Sequence, residues 1–307
     1  MNDRRSSARG RGASSNPPNR FEPLTLERDA DWDPEQDPAP TTQFLRDRSQ
    51  SIIAYNDSPD IPFSAGINPY RGCEHGCIYC YARPTHEYLG FSAGLDFETK
   101  IMVKEDAPGL LRAELSAPGW VPKVIALSGV TDPYQPVERR LKLTRGCLEV
   151  LAEFLNPVTI VTKNNLVTRD LDLLAELAGC QAAAVFISVT TLDTELRKIL
   201  EPRTSPPAAR LATISALARA GVPTGVTLNS IQAMNDPHYI GRNMVVELDH
   251  PHRVHYKTFG CVQRLSDSPL MEYQTGPLLG QHTQEILAKY LGMTHHDVTK
   301  LRAEGVV

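Results

Sequence analysis

Residues 68–88 read NPYRGCEHGCIYCYARPTHEY, and the cysteines of this stretch decide how the rest of the sequence is interpreted. Cys73, Cys77 and Cys80 form a C-x3-C-x2-C pattern within one loop, here called the cysteine loop. Three thiolates at this spacing can each ligate one iron of a cubane [4Fe–4S] cluster and leave the last iron open to a substrate. We therefore predict that Cys73, Cys77 and Cys80 bind such a cluster.

Zinc is the alternative occupant of the cysteine loop, with His75 or His86 as a further ligand. Zinc motifs usually pair two C-x2-C units at separated places, and no second unit is present in this sequence. The remaining cysteines are Cys147, Cys180 and Cys261, of which the first two have apolar neighbours that are typical of buried structural thiols. The pattern favours the cluster over zinc.

Outward from the loop, short β-rich runs alternate with helical runs over about residues 46–228. Such alternation requires crossover connections and favours a parallel sheet with helices outside it. The run Ser64–Tyr70 leads into the loop, and later strands are predicted at Lys123–Leu127, Pro157–Thr162, Ala183–Val189 and Val222–Leu228. Five such units predict an α/β fold, a partial TIM-like (β/α) barrel rather than a complete eight-fold one.

The sequence divides into three predicted segments. Residues 1–45 contain few apolar side chains, so they cannot bury enough surface to offset the entropy of ordering, and a disordered N-terminal tail is expected. Residues 46–228 form the predicted barrel core. In residues 229–307 the alternation of strand and helix patterns does not continue. MVVEL and VHYKTF predict an antiparallel pair, and helices are expected near Gln281–Tyr290 and His295–Ala303. That segment is predicted to be a small α+β unit.

Charge and hydropathy limit the partners and the location. The net charge is -4, so no global basic field points to nucleic-acid binding. No apolar run of about 18 residues occurs, which predicts that no segment spans a membrane. The basic N-terminus, MNDRRSSARGRG, lacks the apolar stretch of a signal peptide. A cytoplasmic location is expected.

The pattern C-x3-C-x-aromatic-C, with Tyr79 as the aromatic residue, resembles the signature of the radical SAM superfamily. With Tyr81 completing a local Y-C-Y, about residues 45–226 resemble a bacterial subgroup near the spore photolyase-like branch. The resemblance implies a [4Fe–4S] cluster and S-adenosylmethionine as cofactors, and reductive cleavage of the latter to a 5′-deoxyadenosyl radical that abstracts hydrogen from a substrate. It also implies a flavodoxin or ferredoxin-type electron donor, with nucleic acid as a candidate substrate.

The same resemblance suggests where S-adenosylmethionine would bind, because a β/α barrel places its sites at the carboxyl ends of its strands. Ser128 and Asp132 follow KVIAL and offer polar contacts to the amino group. Lys163 follows VTIV and can pair with the methionine carboxylate, while Ser188 follows VFI and suits the ribose or carboxylate. Tyr79 is expected to pack against the cluster or the adenine. Each of these polar residues could instead be a simple loop cap.

Glu201 and Arg203 lie close together in the sequence after a predicted helix. They either line the mouth of the barrel or form a surface ion pair of small energetic value. No catalytic role is assigned to either residue.

From about residue 229 the sequence resembles the C-terminal end of the family III CoA-transferases. The matching stretches are NDPHYIGRNMVVELDHP, RLSDSP, GPLLGQHTQEILAKYLGM and DVTKLRAEGVV. The catalytic aspartate of that family lies upstream of the matching region and is absent from this chain, so its activity does not transfer. Two alternatives to a radical SAM enzyme therefore stay open: a CoA-transferase remnant or fusion, with its junction near residues 221–236, and a non-catalytic metal-binding protein.

Overall fold

The computed structural model describes residues 10–21, 41–57, 63–227, 235, 237–241, 245–250, 253–259 and 280–307. The chain divides into two compact units, Met1–Asn229 and Ser230–Val307. The first unit contains the cysteine loop and the alternation of strands and helices. The second contains a β-hairpin and short helices.

The strands of the first unit are β1 (Gln43–Arg46), β2 (Ile53–Tyr55), β3 (Ala65–Ile67), β4 (Tyr70–Arg71), β5 (Lys100–Val103), β6 (Ile125–Leu127), β7 (Val158–Thr162), β8 (Ala183–Ser188) and β9 (Thr224–Thr227). Its α-helices are α1 (Leu95–Thr99), α2 (Ala107–Leu115), α3 (Glu138–Leu141), α4 (Leu143–Glu153), α5 (Leu171–Gly179), α6 (Thr194–Leu200) and α7 (Pro207–Arg219). Two 3₁₀ helices, Arg83–Leu89 and Asn165–Asp170, complete the part of the unit that the structure describes.

Among the described residues, the main sheet has six strands in the order β2-β3-β6-β7-β8-β9. β2 runs antiparallel to β3, and every later neighbour pairs in parallel. The predicted α/β class is therefore confirmed, and the five parallel strands fall where the sequence placed them, within a few residues at each end. Within the described residues the sheet ends at β9, so the partial barrel stays a prediction.

The core of the first unit lies between one face of this sheet and the helices that cover it. Alternate residues of β7 and β8 are buried on that face, including Val158, Ile160 and Val185. Leu148 and Leu151 of α4 pack into the same cluster and are fully buried. Burying a Leu or Val side chain contributes about 1.5–3 kcal/mol, so this layer holds the strand ends in a fixed arrangement.

A second, three-stranded sheet has the order β1-β5-β4 and lies beside the cysteine loop. It includes β1, most of which falls within the tail predicted to be disordered. Residues 10–21 of that tail also make defined contacts, for example from the backbone N–H of Ala13 to Glu98. The structure corrects the prediction for these residues, because composition alone ignores that buried carboxylates elsewhere in the chain can bind a polar segment.

The second unit contains an antiparallel hairpin, Val245–His250 with Arg253–Phe259, and this confirms the predicted pair. Helices at Thr283–Leu291 and His295–Ala303 also agree with the sequence analysis. The last helix begins with a capping box in which Thr294 and Asp297 bond each other's backbone N–H groups. Across the described residues, we find no helix with the length and apolar character needed to span a bilayer.

Candidate functional site

Cys73, Cys77 and Cys80 line one cavity of about 140 Å³ that is open to solvent. The opposite wall comes from the carboxyl ends of β6, β7 and β8, which supply Ser128, Lys163 and Ser188 among others. The full lining is Cys73, His75, Cys77, Cys80, Tyr81, Ala82, Ser128, Gly129, Val130, Thr131, Asp132, Val161, Thr162, Lys163 and Ser188.

Glycines and backbone hydrogen bonds shape the cysteine loop. Gly72 has φ +81, and an added Cβ there would lie 2.9 Å from the Phe97 carbonyl oxygen, so this turn requires glycine. The Cys73 N–H donates to the same Phe97 oxygen at 2.9 Å. Arg83 then donates from Nε and Nη2 to the Cys77 carbonyl oxygen at 3.1 and 2.9 Å. The loop is thus fixed to α1 through Phe97 and to the 3₁₀ helix Arg83–Leu89 through Arg83.

Burial and neighbouring thiols raise the pKa values of Cys77 and Cys80. Burial raises the pKa of the Cys77 thiol, and the negative charges of Cys73 and Cys80 raise it further. Burial likewise raises the pKa of Cys80, to which Cys73 adds. Lys163 acts in the opposite direction on both thiols. A cationic group held between the three sulfurs would relieve this repulsion, so the donor set fits an iron–sulfur cluster.

A single-ion site receives less support from the geometry. In the described part of the chain, no three His, Cys, Asp or Glu side chains lie close enough to share one ion. His75 contacts Asp132 through Nδ1 at 3.3 Å and Asn164 through Nε2 at 3.1 Å, and His86 contacts the Lys100 carbonyl oxygen through Nε2. A cubane distributes its thiolates over different irons, so the same spacing does not count against a cluster.

Asp132 lies in the cavity wall, where its predicted contact to the amino group stays a prediction, and both of its oxygens contact other parts of the protein. Oδ1 accepts from Thr162 Oγ1 at 2.7 Å and from the Tyr134 N–H at 2.9 Å. Oδ2 accepts from the Lys163 N–H at 2.8 Å and faces His75 Nδ1 at 3.3 Å. Four donors fill the acceptor capacity of a carboxylate, so Asp132 ties the cysteine loop to the ends of β6 and β7.

The charge states of Asp132 and His75 follow from their surroundings. Burial works against ionisation of Asp132, but the charge and hydrogen bond of His75 outweigh it and bring the pKa to about 2. Burial also opposes protonation of His75, and the charges of Asp132 and Cys73 raise its pKa to about 10. We conclude that the two side chains form an ion pair at neutral pH.

Lys163 lines the cavity near the end of β7, as predicted, and its Nζ lies 3.8 Å from Glu201 Oε1. The same Nζ lies 5.8 Å from the centre of the Tyr79 ring. Tyr79 itself is outside the cavity lining and donates its hydroxyl to Glu201. Its packing against the cluster or the adenine stays a prediction. Ser128 and Ser188 both line the cavity.

Glu201 and Arg210 form a buried pair that sequence reasoning missed. Arg210 Nη2 donates to Glu201 Oε2 at 2.5 Å, and the Arg210 and Glu201 side chains are 1% and 0% exposed. Arg210 also donates to the carbonyl oxygens of Ser188 and Ser205 at 2.9 and 2.8 Å. Arg203 pairs instead with Glu74 at 3.2 Å. The available signal was the spacing of Arg210 with the buried Thr213 and Leu217 on one face of α7.

The profile of the radical SAM superfamily matches residues 67–235, which is more than half of the chain. The chain belongs to the radical SAM superfamily. Members of this superfamily use a [4Fe–4S] cluster and S-adenosylmethionine, and the matched region contains the whole cavity lining. The resemblance noted from the cysteine pattern is confirmed.

An uncharacterized protein of Mycobacterium tuberculosis (strain ATCC 25618 / H37Rv) is 45% identical over 162 residues, which is 53% of this chain and 48% of the relative. This radical SAM chain therefore spans about half the length of the curated relatives it matches first. Among solved structures, a mutant of spore photoproduct lyase with bound AdoMet and dinucleoside spore photoproduct has a TM-score of 0.44 at 20% identity. That likeness covers 61% of this chain and 51% of the lyase chain.

The resemblance at the C-terminal end is also confirmed. Formyl-CoA:oxalate CoA-transferase of Rhodopseudomonas palustris (strain BisA53) is 38% identical over 86 residues. Those residues make up 28% of this chain and 20% of the transferase. The chain thus carries a radical SAM region and a short segment similar to a second family.

Proposed function

We propose that this protein is a radical SAM enzyme whose Cys73, Cys77 and Cys80 ligate a [4Fe–4S] cluster. The observation that carries the proposal is the shared cavity, which combines three thiols with polar strand ends at the place where a β/α fold binds its ligands. When bound, the cluster supplies the electron that cleaves S-adenosylmethionine into methionine and a 5′-deoxyadenosyl radical for hydrogen abstraction.

The residues of the chain would bind and orient the cosubstrate. Lys163 presents a positive charge to the cavity and would pair with the methionine carboxylate. Ser128 and Ser188 offer hydroxyls to the remaining polar groups. Asp132 would act as a positioning residue, since its oxygens already hold the N–H of Lys163 and the ring of His75. Tyr79 would orient Glu201 rather than contact the cofactor.

We interpret the five parallel strands as a partial barrel covering residues 46–228, followed by a CoA-transferase-like segment at 229–307. Helices connect successive parallel strands, and the candidate ligand groups follow the strands at one end, as in a TIM-like barrel. Among the described residues β9 pairs only with β8, which leaves one side of the barrel unfinished. We expect this truncation to lower the activity.

Anaerobic reconstitution tests the proposal directly. Iron and sulfide analysis should give about four irons per chain, and reduction with dithionite should produce 5′-deoxyadenosine. Cys77→Ala should lose both results, whereas Cys180→Ser, which changes an exposed cysteine outside the cavity, should keep them. Equal iron content in wild type and Cys77→Ala would overturn the assignment. One zinc and no iron in anaerobically purified protein would favour a non-catalytic metal-binding protein.

The electron donor is proposed to be a flavodoxin or ferredoxin in the cytoplasm. Nucleic acid is the candidate substrate, on the ground that the Y-C-Y stretch of Tyr79 to Tyr81 resembles the spore photolyase-like branch. An increase in 5′-deoxyadenosine production on addition of DNA or RNA would support this substrate class. Production that is unchanged by either polymer would count against it.

A second candidate function is that of a CoA-transferase remnant, for which the 38% identity over 86 residues is the supporting observation. The match covers only 20% of the transferase, and the resemblance implies that the catalytic aspartate of that family lies outside the matching region. Exchange of acyl groups between CoA donors and acceptors by the purified chain would support this reading. Absence of CoA binding in equilibrium dialysis would exclude it.

A further inference from the structure

Residues 11–21, here called the N-terminal strap, lie outside the region matched by the radical SAM profile and contact the segment that supports the cysteine loop. At one end, Gly12 and Ala13 donate their backbone N–H groups to Glu98 Oε2 and Oε1 at 3.0 and 2.9 Å. At the other, the rings of Phe21 and Tyr88 stack with centroids 4.9 Å apart. The strap therefore follows the 83–98 segment along much of its length.

Glu98 connects the strap to the cysteine loop. Its side chain is 0% exposed, and it accepts from Arg83 Nη2 at 2.6 Å as well as from the two strap amides. The same Arg83 donates to the Cys77 carbonyl oxygen from Nε and Nη2. A continuous chain of hydrogen bonds thus runs from Gly12 and Ala13 through Glu98 and Arg83 to Cys77.

The strap approaches the cysteine loop so closely that a side chain cannot be accommodated. A Cβ added to Gly12 would lie 1.8 Å from the Gly76 carbonyl oxygen. A Cβ added to Gly94 would lie 2.1 Å from the Ser15 carbonyl oxygen. Both clashes involve backbone atoms, so neither can be relieved by turning a flexible side chain. The strap can therefore follow this path only with glycine at positions 12 and 94.

Further contacts anchor the strap in register. Asn16 and Asp96 bond each other twice, from Asn16 Nδ2 to Asp96 Oδ1 at 3.0 Å and from the Asp96 N–H to Asn16 Oδ1 at 2.9 Å. Asn19 Nδ2 donates to the carbonyl oxygens of Glu87 and Phe91. Such reciprocal bonds fix the position of the strap along its support as well as its distance from it.

We propose that the N-terminal strap is a positioning segment for the cluster, which holds the Cys77 backbone in place by completing the hydrogen bonds of Glu98. A buried carboxylate that loses two of its three donors must recruit water or move, and Arg83 moves with it. Release of the strap then frees the Cys77 backbone, so that this cysteine would hold a cluster less firmly. The inference about the cluster rests on the proposed function, whereas the inference about Cys77 concerns the protein alone.

The test compares Gly12→Ala with Gly119→Ala, the same chemical change at a glycine whose added Cβ meets nothing within 4 Å. In the metal-free full-length protein, hydrogen exchange of the Ala13 amide should accelerate about tenfold or more in Gly12→Ala because its bond to a charged group is lost. Alkylation of Cys77 should accelerate in the same variant while that of the buried Cys147 does not. Gly119→Ala should match wild type in both measurements.

In the reconstituted protein, loss of cluster absorbance to an iron chelator should be several-fold faster in Gly12→Ala than in wild type, because Cys77 is less firmly held. Asn16→Ala, which removes the bonds to Asp96 without a clash, should change in the same direction. Faster Ala13 exchange with unchanged Cys77 alkylation would overturn the proposal, as would a parallel rise for Cys147, which would mean general unfolding. Absence of any cluster in wild type would contradict the proposed function, while the metal-free measurements would still decide the role of the strap.

Discussion

Asp132 joins three parts of the chain at the cavity through its contacts to His75, Thr162 and the Lys163 backbone. Its side chain is 11% exposed and acts as an acceptor for the protein itself. Glu201 has a similar place beside Arg210 and Lys163. At the residue scale, therefore, buried carboxylates fix the backbone and side chains in and beside the cavity, while Lys163 and the serines are the proposed ligand contacts.

The low pKa of Asp132 predicts an acid-dependent contribution to stability. Because the folded-state pKa of about 2 lies below the ordinary value of 3.8, the contribution is present above about pH 4 and is lost as the pH falls toward 2. Its size is about 2 kcal/mol. The difference in free energy of unfolding between wild type and Asp132→Asn, measured with urea on the metal-free protein, should shrink over that range.

Asp106→Asn serves as the control for this prediction, since Asp106 forms a surface pair with Arg46 and its side chain is 69% exposed. Its difference from wild type should stay small at every pH. A difference for Asp132→Asn that is constant from pH 5 to pH 2.5 would show that the carboxylate charge contributes nothing to folding.

Lys163→Met is expected to weaken the binding of S-adenosylmethionine to the reconstituted protein. Loss of a charge-assisted contact to a carboxylate should raise the Kd about tenfold or more. The fold should survive, because Glu201 keeps its bond to Arg210 when Lys163 is removed. Isothermal titration would measure the Kd, with Lys198→Met as the control because Lys198 pairs with Glu195 on the surface. An unchanged Kd for Lys163→Met would remove Lys163 from the binding site.

At the element scale, β8 and β9 meet through an aromatic ring and a glycine. A Cβ added to Gly225 would lie 2.5 Å from Phe186 Cδ1, so the Phe186 ring covers the backbone of the neighbouring strand. The ring thereby shields a strand that contributes no side chain of its own at that point.

Gly225→Val should therefore destabilise the first unit by about 1–3 kcal/mol, since the ring has to leave its position. In the double variant with Phe186→Ala the clash is absent. The free energies of unfolding lost by the two single variants should therefore sum to more than the loss measured for the double variant. Urea unfolding followed by circular dichroism would give the free energies. Strict additivity would show that the ring and the glycine do not interact.

The sequence predicted elements best where the signal is local. The runs VTIV and AAVFIS are mostly apolar. The sequence predicts strands there whose ends agree with those of β7 and β8 to within about two residues. The sequence did not predict elements whose pairing partner is distant in the chain. β1 pairs with β5 across more than 50 residues, and the N-terminal strap is held by Glu98. The site shows the same division, because cysteine spacing is a local signal whereas the partner of Glu201 depends on the path of α7.

At the scale of the whole molecule, the last parallel strand leaves apolar surface uncovered. Val226 faces the same side of the sheet as its neighbour Ile187, which is 1% exposed, yet Val226 is 48% exposed. Within the described residues β9 has a neighbour on one side only. An exposed strand edge with an apolar side chain favours association between copies of a chain.

Val226→Thr should reduce concentration-dependent association at little cost in stability, because threonine keeps the strand propensity of valine. Sedimentation velocity over a range of protein concentrations would measure the effect. The control, Val185→Thr, places a hydroxyl at a fully buried position of the adjacent strand and should lower the free energy of unfolding instead. Identical sedimentation of wild type and Val226→Thr would indicate that this edge is not the associating surface.

Tyr81 has a consequence for how quickly a ligand reaches the cavity. Its side chain is 78% exposed, and its hydroxyl reaches across from the cysteine loop to the Gly129 carbonyl oxygen. Exposed side chains change rotamer within picoseconds to nanoseconds, so this bridge can break and re-form quickly. We therefore expect that rotation of the Tyr81 side chain is fast compared with the diffusion of a ligand to the cavity.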